Sequence, residues 1–221
     1  MRAWIAAVLI GAGLWASREA LGQVREEWVA RYDSQVPGDD APAAAVADGE
    51  GNLYVAGTGG AVNPDLVVAK YDAGGSLLWV QRYDGPQHGI DRGTDVKLDA
   101  AGNVYVAGIS LDRRSQQRGA FVVVKLDARG VQLWAARHEG VLVPTLVRVQ
   151  LAVNASGNAA MASTAYSSRG SATDLFVARF QAGGSELWSA LYDGPASLED
   201  VLGGIAIDAA GGVYVTGETI V

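Results

Sequence analysis

The chain has 221 residues, 49% of them hydrophobic, which is enough for one large core or two small ones and is not the composition of a disordered segment. It contains no Cys, so disulfides, thiolate metal sites, a Cys nucleophile and a lipid-modified N-terminal Cys are excluded. A net charge of −7 argues against nucleic acid as a partner, because neutralising phosphates needs a clustered excess of Lys and Arg.

In chain order, the first feature is Arg2 followed by an apolar run from Ala3 to Ala16 (AWIAAVLIGAGLWA) and a more polar stretch ending Ala20-Leu21-Gly22. These fourteen apolar residues fit the core of a signal peptide and fall short of a membrane span. The expected leader is 1–22, cleaved before Gln23, which makes the protein secreted or extracytoplasmic, in the periplasm or at the cell surface. A buried or frayed N-terminal helix is the alternative.

From residue 23 onward the chain repeats itself. Strand-like segments end in Trp28, Trp79, Trp134 and Trp188, at intervals of 51, 55 and 54 residues, and continue as WVARYD, WVQRYDGP, WAARHEG and WSALYDGP. DGEGNLYVAG from Asp48, DAAGNVYVAG from Asp99, NASGNAAMAS from Asn154 and DAAGGVYVTG from Asp208 keep the same step. A third block, DLVVAKYDAGGSLLW from Asp65, returns from Ala120 and from Asp174 and does not occur a fourth time. With 29 Gly, 6 Trp and 8 Tyr, each unit reads as four short strands bounded by Gly and Asp turns. In the second unit the strands fall near 94–98, 104–109, 121–126 and 132–138.

Four-stranded units of this length are the mark of propeller blades. The expected fold is all-β, a β-propeller of four-stranded antiparallel blades with three complete blades and a truncated fourth, an incomplete ring. The units run 28–79, 79–134, 134–188 and 188–221. Asp in D-x-x-G-N can accept backbone hydrogen bonds, and Gly51, Gly102, Gly157 and Gly211 can take the positive φ of a tight hairpin. A calcium loop would need further carboxylates, so the motif reads as a turn. Trp79, Trp134 and Trp188 are expected to pack between neighbouring sheets, each burying ~150–250 Å².

W-x-x-R-Y-D-G-P, then an Asp, D-A-A-G-N-V-Y-V-A-G and V-V-K-L-D-A-x-G-x-x-L-W resembles the bacterial β-propeller repeat family labelled SBBP, from Trp28 to the end. That resemblance implies a fold, a secreted or surface setting and no catalytic residues. The third unit departs from the pattern at His138, Glu139, Asn154 and Ala160, and its blade is expected to pack less well. The Gly75 to Trp79 spacing also resembles the tryptophan-docking motif of quinone-dependent dehydrogenases, but Gly74 replaces its Thr and Asp72 stands one residue too close. No cofactor is expected.

In a propeller the short first and third hairpins share one face, and the other face carries the remaining loops. Here those loops vary: TGGAVNP after Gly57, ISLDRRSQQRG after Gly108 and STAYSSRGSAT after Ala162. The function read from this is non-enzymatic binding or scaffolding, with a protein or glycan partner on the variable face. Arg113, Arg114 and Arg118, on an otherwise acidic chain, suit an anionic sugar or a partner carboxylate, or form a solvated loop. Asp40, Asp91 and Asp200 stand eight residues before the first-hairpin Asp, with Leu146 at the matching place in unit three. They can form a metal-binding ring near the channel, or pin strand ends by accepting N–H bonds. His88, oriented by Asp91, is the candidate general base of an alternative lyase or hydrolase. One leading strand, three units of four and two trailing strands make fifteen, so the chain reads as a fragment of a longer protein or as one that self-associates through open strand edges.

Overall fold

The computed structural model describes residues 4–11, 24–34, 38–144, 147–166, 172–196 and 198–219. Three complete four-stranded antiparallel blades follow one another. The first is β3 (Ala41–Ala47), β4 (Leu53–Gly59), β5 (Asp65–Tyr71) and β6 (Leu77–Tyr83). The second is β7 (Asp91–Leu98), β8 (Val104–Asp112), β9 (Ser115–Leu126) and β10 (Gln132–Leu142). The third is β11 (Gln150–Val153), β12 (Ala159–Tyr166), β13 (Thr173–Phe180) and β14 (Glu186–Tyr192), joined to the second by one pairing, Leu142 with Tyr166. A fourth, two-stranded sheet holds β15 (Asp200–Ile207) and β16 (Val213–Thr219).

Ahead of the blades, β2 (Val24–Tyr32) carries Trp28 and pairs with β1 (Trp4–Gly11). The segment with the composition of a leader core is therefore extended over Trp4–Gly11, and sixteen strands stand among the described residues where the sequence suggests fifteen. No helix among the described residues is long and apolar enough to cross a membrane.

The core lies between blades, and strand alternation puts it there. Along β8, Val104 and Val106 join Tyr54, Leu66 and Val68 of the first blade, while Tyr105, Ala107 and Ile109 join Leu151, Met161 and Phe176 of the third. Successive side chains point to opposite faces of a strand, so a strand flanked on both sides must be apolar throughout, and β8 is buried along nearly its whole length. Strand β16, with the same sequence pattern but no such cover, is largely exposed.

Trp79 and Trp134 pack across to the next blade, as expected, and Trp28 does the same. Trp188 does not: it is 40% exposed, because the sheet that follows it has only two strands. The second blade's strands are also longer than the pattern suggests. β8 and β9 continue to the pair Asp112 with Ser115, which makes Arg113 and Arg114 the tip of an extended hairpin rather than part of a long loop.

The third blade's departures are compensated. Asn154 Oδ1 accepts the Ser156 and Asn158 N–H groups at 3.1 Å, and its Nδ2 donates to Asp208 O of the next sheet at 3.0 Å, a bond that Asp has no donor to make. His138 lies on Phe176 with ring centroids 4.5 Å apart and pairs with Glu186 at 2.9 Å. Ala159, Ala160, Met161 and Ala162 are wholly buried, so the altered second strand lies in the core, while β14 at the blade's outer edge is exposed along its length.

Candidate binding face

The uniform face is closed by its own hydrogen bonds. Asp99 Oδ1 accepts the N–H groups of Ala101 and Asn103 at 2.9 Å, and Oδ2 accepts Asn103 Nδ2 at 2.8 Å and the Tyr105 hydroxyl at 3.1 Å. Asp48 makes the same four bonds in the first blade. Burial works against each ionised carboxylate, but these donors together outweigh it and hold both below the ordinary Asp range. With its oxygens committed to one tight turn, D-x-x-G-N is a hairpin device and not a calcium loop.

The opposite face is built at the blade junctions. Asp40, Asp91 and Asp200 each pin the loop that leads into their strand: their Oδ2 atoms accept the N–H of Ser34 at 2.8 Å, of Gly85 at 2.9 Å and of Gly194 at 2.9 Å. The role of strand-end anchor, read from sequence beside that of a metal ring, is the one this geometry displays. Leu146, at the fourth matching position, lies outside the described residues.

Two of these anchors belong to local acidic triads. Asp65, Asp84 and Asp91 at the first junction, and Asp174, Asp193 and Asp200 at the third, each bring one carboxylate oxygen per residue within 4.8 Å of the others. Among the described residues, groups of three form within a junction and not across Asp40, Asp91 and Asp200. Hard cations are held by such oxygen sets. At the first junction, however, protein donors already meet two of the carboxylates: Arg82 Nη1 lies 3.4 Å from Asp65, and His88 Nδ1 lies 2.7 Å from Asp84. Asp91 is fully buried, and its pKa is pushed up to about 6, first by burial and then by Asp84 and Asp65, against the hydrogen bonds from Ser110 and Gly85. Asp65 is raised too, by burial and by Asp84.

Asp84 and Asp65 were not singled out in the sequence, yet the signal was there. Asp84 and Asp193 share one place in the Y-D-G-P string, and Asp65 and Asp174 share another at the head of the third strand. The expectation for His88 needs correcting in its partner. Its orienting carboxylate is Asp84, four residues back, and not Asp91, which is turned inward to Gly85. His88 is exposed, and its backbone sits at φ 49°.

The middle junction is different. Ala120 stands where the others have Asp65 or Asp174, and no acidic triad forms among the described residues there. In its place is a cleft of about 310 Å³ lined by Gln87, Asp112, Arg118, Arg137, Glu139 and Leu142. It gathers Arg118 from β9, the end of β10 and the loop bearing His88. Arg137 is fixed in it by Ser110 Oγ at 2.6 Å and the Tyr83 hydroxyl at 3.2 Å. Arg113 and Arg114 extend past it on the exposed hairpin tip.

The chain is thus an all-β repeat protein of propeller-like blades. No protein-family model matches it, and no curated protein matches it. Among solved structures, the crystal structure of the eukaryotic initiation factor is similar over 77% of this chain at 9% identity and a TM-score of 0.41. This chain spans 39% of that chain's length.

Proposed function

We propose that the chain is an exported, SBBP-type propeller repeat module that binds a protein or glycan through its variable-loop face and performs no catalysis. One observation carries this reading. The repeat spends its recurring residues on hydrogen-bonded turns at one face and its variation at the other, where the middle junction exchanges the acidic triad for a cleft. A preformed concave site with a few fixed polar groups suits recognition. Arg118, Arg137, Asp112 and Glu139 line it together, with Arg137 Nε 3.3 Å from Glu139, a mixed-charge lining matched to a polar surface with both donors and acceptors.

The test is saturable capture on glycan and surface-protein arrays, comparing the chain with a variant carrying Arg113→Ala, Arg114→Ala and Arg118→Ala. Capture by the first and its loss in the second is the expected result; capture by neither, or equally by both, overturns the reading. Export is checked separately by N-terminal sequencing of protein recovered outside the cytoplasm. The expected start is Gln23, and an intact Met1 counts against a cleaved leader.

A further inference from the structure

One lock joins blade to blade three times. Trp28 lies over Gly75 and donates its Nε1–H to Ala73 O at 3.0 Å; Trp79 lies over Gly130 and donates to Ala128 O at 3.3 Å; Trp134 lies over Gly184 and donates to Ala182 O at 3.0 Å. All three glycines have positive φ, and a Cβ on any of them would stand 2.6–2.7 Å from the indole. The turn therefore has to be glycine twice over, for its backbone and for the ring above it.

A second contact travels with the first. Arg82 donates to the Tyr32 hydroxyl at 3.3 Å, and Arg137 donates to the Tyr83 hydroxyl at 3.2 Å. At the next junction both partners change together: His138 has no hydroxyl to accept, and Leu191 has no guanidinium to donate. The two groups are kept or dropped as a pair.

At the far end of the repeats only one half of the lock is present. Trp188 and Tyr192 keep the residue types of the rule, yet they are 40% and 52% exposed. Among the described residues strand β16 pairs with β15 alone, and its Tyr214, the counterpart of the buried Tyr54 and Tyr105, is 61% exposed. We infer that β14 and the free edge of β16 form a docking surface for a β-hairpin of the repeat's own third-and-fourth-strand type, presented by a further repeat unit. That hairpin pairs its first strand with β16, sets a positive-φ glycine under Trp188 and offers an arginine to the Tyr192 hydroxyl. Open strand edges recruit strands by backbone pairing, and side-chain pockets then select among them.

The hairpin at the other end of this chain fits less well. β1 and β2 copy the register, Val8 opposite Trp28 as Lys70 is opposite Trp79, and Arg31 stands where Arg82 does. Val24, however, occupies the place four residues before Trp28 where the lock demands glycine. A second copy supplies the arginine and not the turn. The inference is independent of the ligand proposed for the variable face.

The test is a peptide with the sequence of residues Asp65–Asp84, carrying Trp79→Phe so that it is silent at indole wavelengths, titrated into the full chain. The chain's Trp188→Phe variant identifies which indole responds. Because isolated hairpins are marginally stable, the same segment is also fused after Val221 through a copy of the 60–64 loop. The expected result is a saturable blue shift that is absent in Trp188→Phe, and a raised Tm for the fusion. Gly75→Val in the peptide weakens binding at least tenfold, and Arg82→Ala weakens it less. The inference fails if peptide and fusion both leave Trp188 open to a collisional quencher, or if Gly75→Val changes nothing. It fails too if sedimentation finds the chain associating with itself, with Trp188 buried and the peptide unable to compete, since the occupant is then a second copy.

Discussion

At one face of the blades, Asp48, Asp99 and Asn154 close the first hairpin with the same bonds from the residues two and four places on, and Asp208 with the bond from four places on; at the other, the middle of three junctions made by the same strands departs from its neighbours. The first and third junctions hold carboxylate triads, and the second holds a cleft. The difference lies in what each face has to do. The hairpin face sets the strand register and seats the indoles, and those contacts hold blade to blade. The junction face closes over loops that vary in length and chemistry: those before β3, β7 and β15 are each anchored by one carboxylate, and the one before β11 carries Leu146 at that position.

If the labour is divided in this way, damage at the hairpin face unfolds the protein. Trp79→Ala removes an indole packed on Gly130 and set edge-on to Tyr54 at 6.0 Å, and it should cost about 3–5 kcal/mol, the range for large aromatic truncations in a core. Gly130→Val should be comparably severe. Chemical denaturation followed by circular dichroism measures both. A loss under about 1 kcal/mol for either, the ordinary size of a point-mutation effect, would show that the locks are incidental to the fold.

Asp99→Ala comes next. It strands the Tyr105 hydroxyl and Asn103 in a part-buried turn and removes the anion 3.6 Å from Lys125, whose ammonium also lies 4.8 Å over the Tyr105 ring. Roughly 2–3 kcal/mol is expected from unpaired groups of this kind. Tyr105 still reaches Gly157 O at 2.9 Å, which caps the loss.

The two faces should also respond to acid in opposite senses. Asp99, with its pKa lowered on folding, stabilises above the unfolded carboxylate range, and that contribution disappears as falling pH protonates it. Asp91, raised from 3.8 to about 6, holds its proton more tightly when folded, so its contribution is greatest below pH ~4 and is lost as pH rises through ~6. Asp91→Asn keeps an acceptor for the Gly85 N–H and removes the buried charge. It should stabilise the protein near pH 7.5 by up to about 3 kcal/mol relative to its effect at pH 4, the figure that follows from ~1.4 kcal/mol for each tenfold change in proton affinity. Denaturant midpoints at both pH values decide this; equal changes at the two would mean that folding leaves the proton affinity of Asp91 unaltered.

The blade architecture was legible in the sequence because a repeat states each rule several times. Asp99, Gly102 and Trp134 recur at fixed spacing, and spacing fixes which strands pair. The strand-end role of Asp40, Asp91 and Asp200 was legible for the same reason. What the sequence left open belongs to contacts between units. That Asp84 and not Asp91 orients His88 depends on how one inter-blade loop turns, and the cleft at the middle junction depends on how Gln87 of that same loop meets Arg118, Arg137 and Glu139 of the second blade. Neither is periodic. The extension of β8 and β9 was hidden by Arg113 and Arg114, which look like loop residues because the hairpin they cap has already left the core.

The smallest expected effect on stability is at those same residues. Arg113 and Arg114 are exposed at the hairpin tip, and Arg118 is exposed at its base, so replacing all three with Ala should change stability by no more than about 0.5 kcal/mol, the usual size for surface changes away from packed features. Matching denaturation curves for the triple variant and the unaltered chain are therefore expected alongside the loss of capture proposed for this face. If the variant is instead destabilised by several kcal/mol, the hairpin is part of the packing that closes the second junction. The division of labour between the two faces then has to be redrawn around Arg118, the one arginine of the three that lines the cleft.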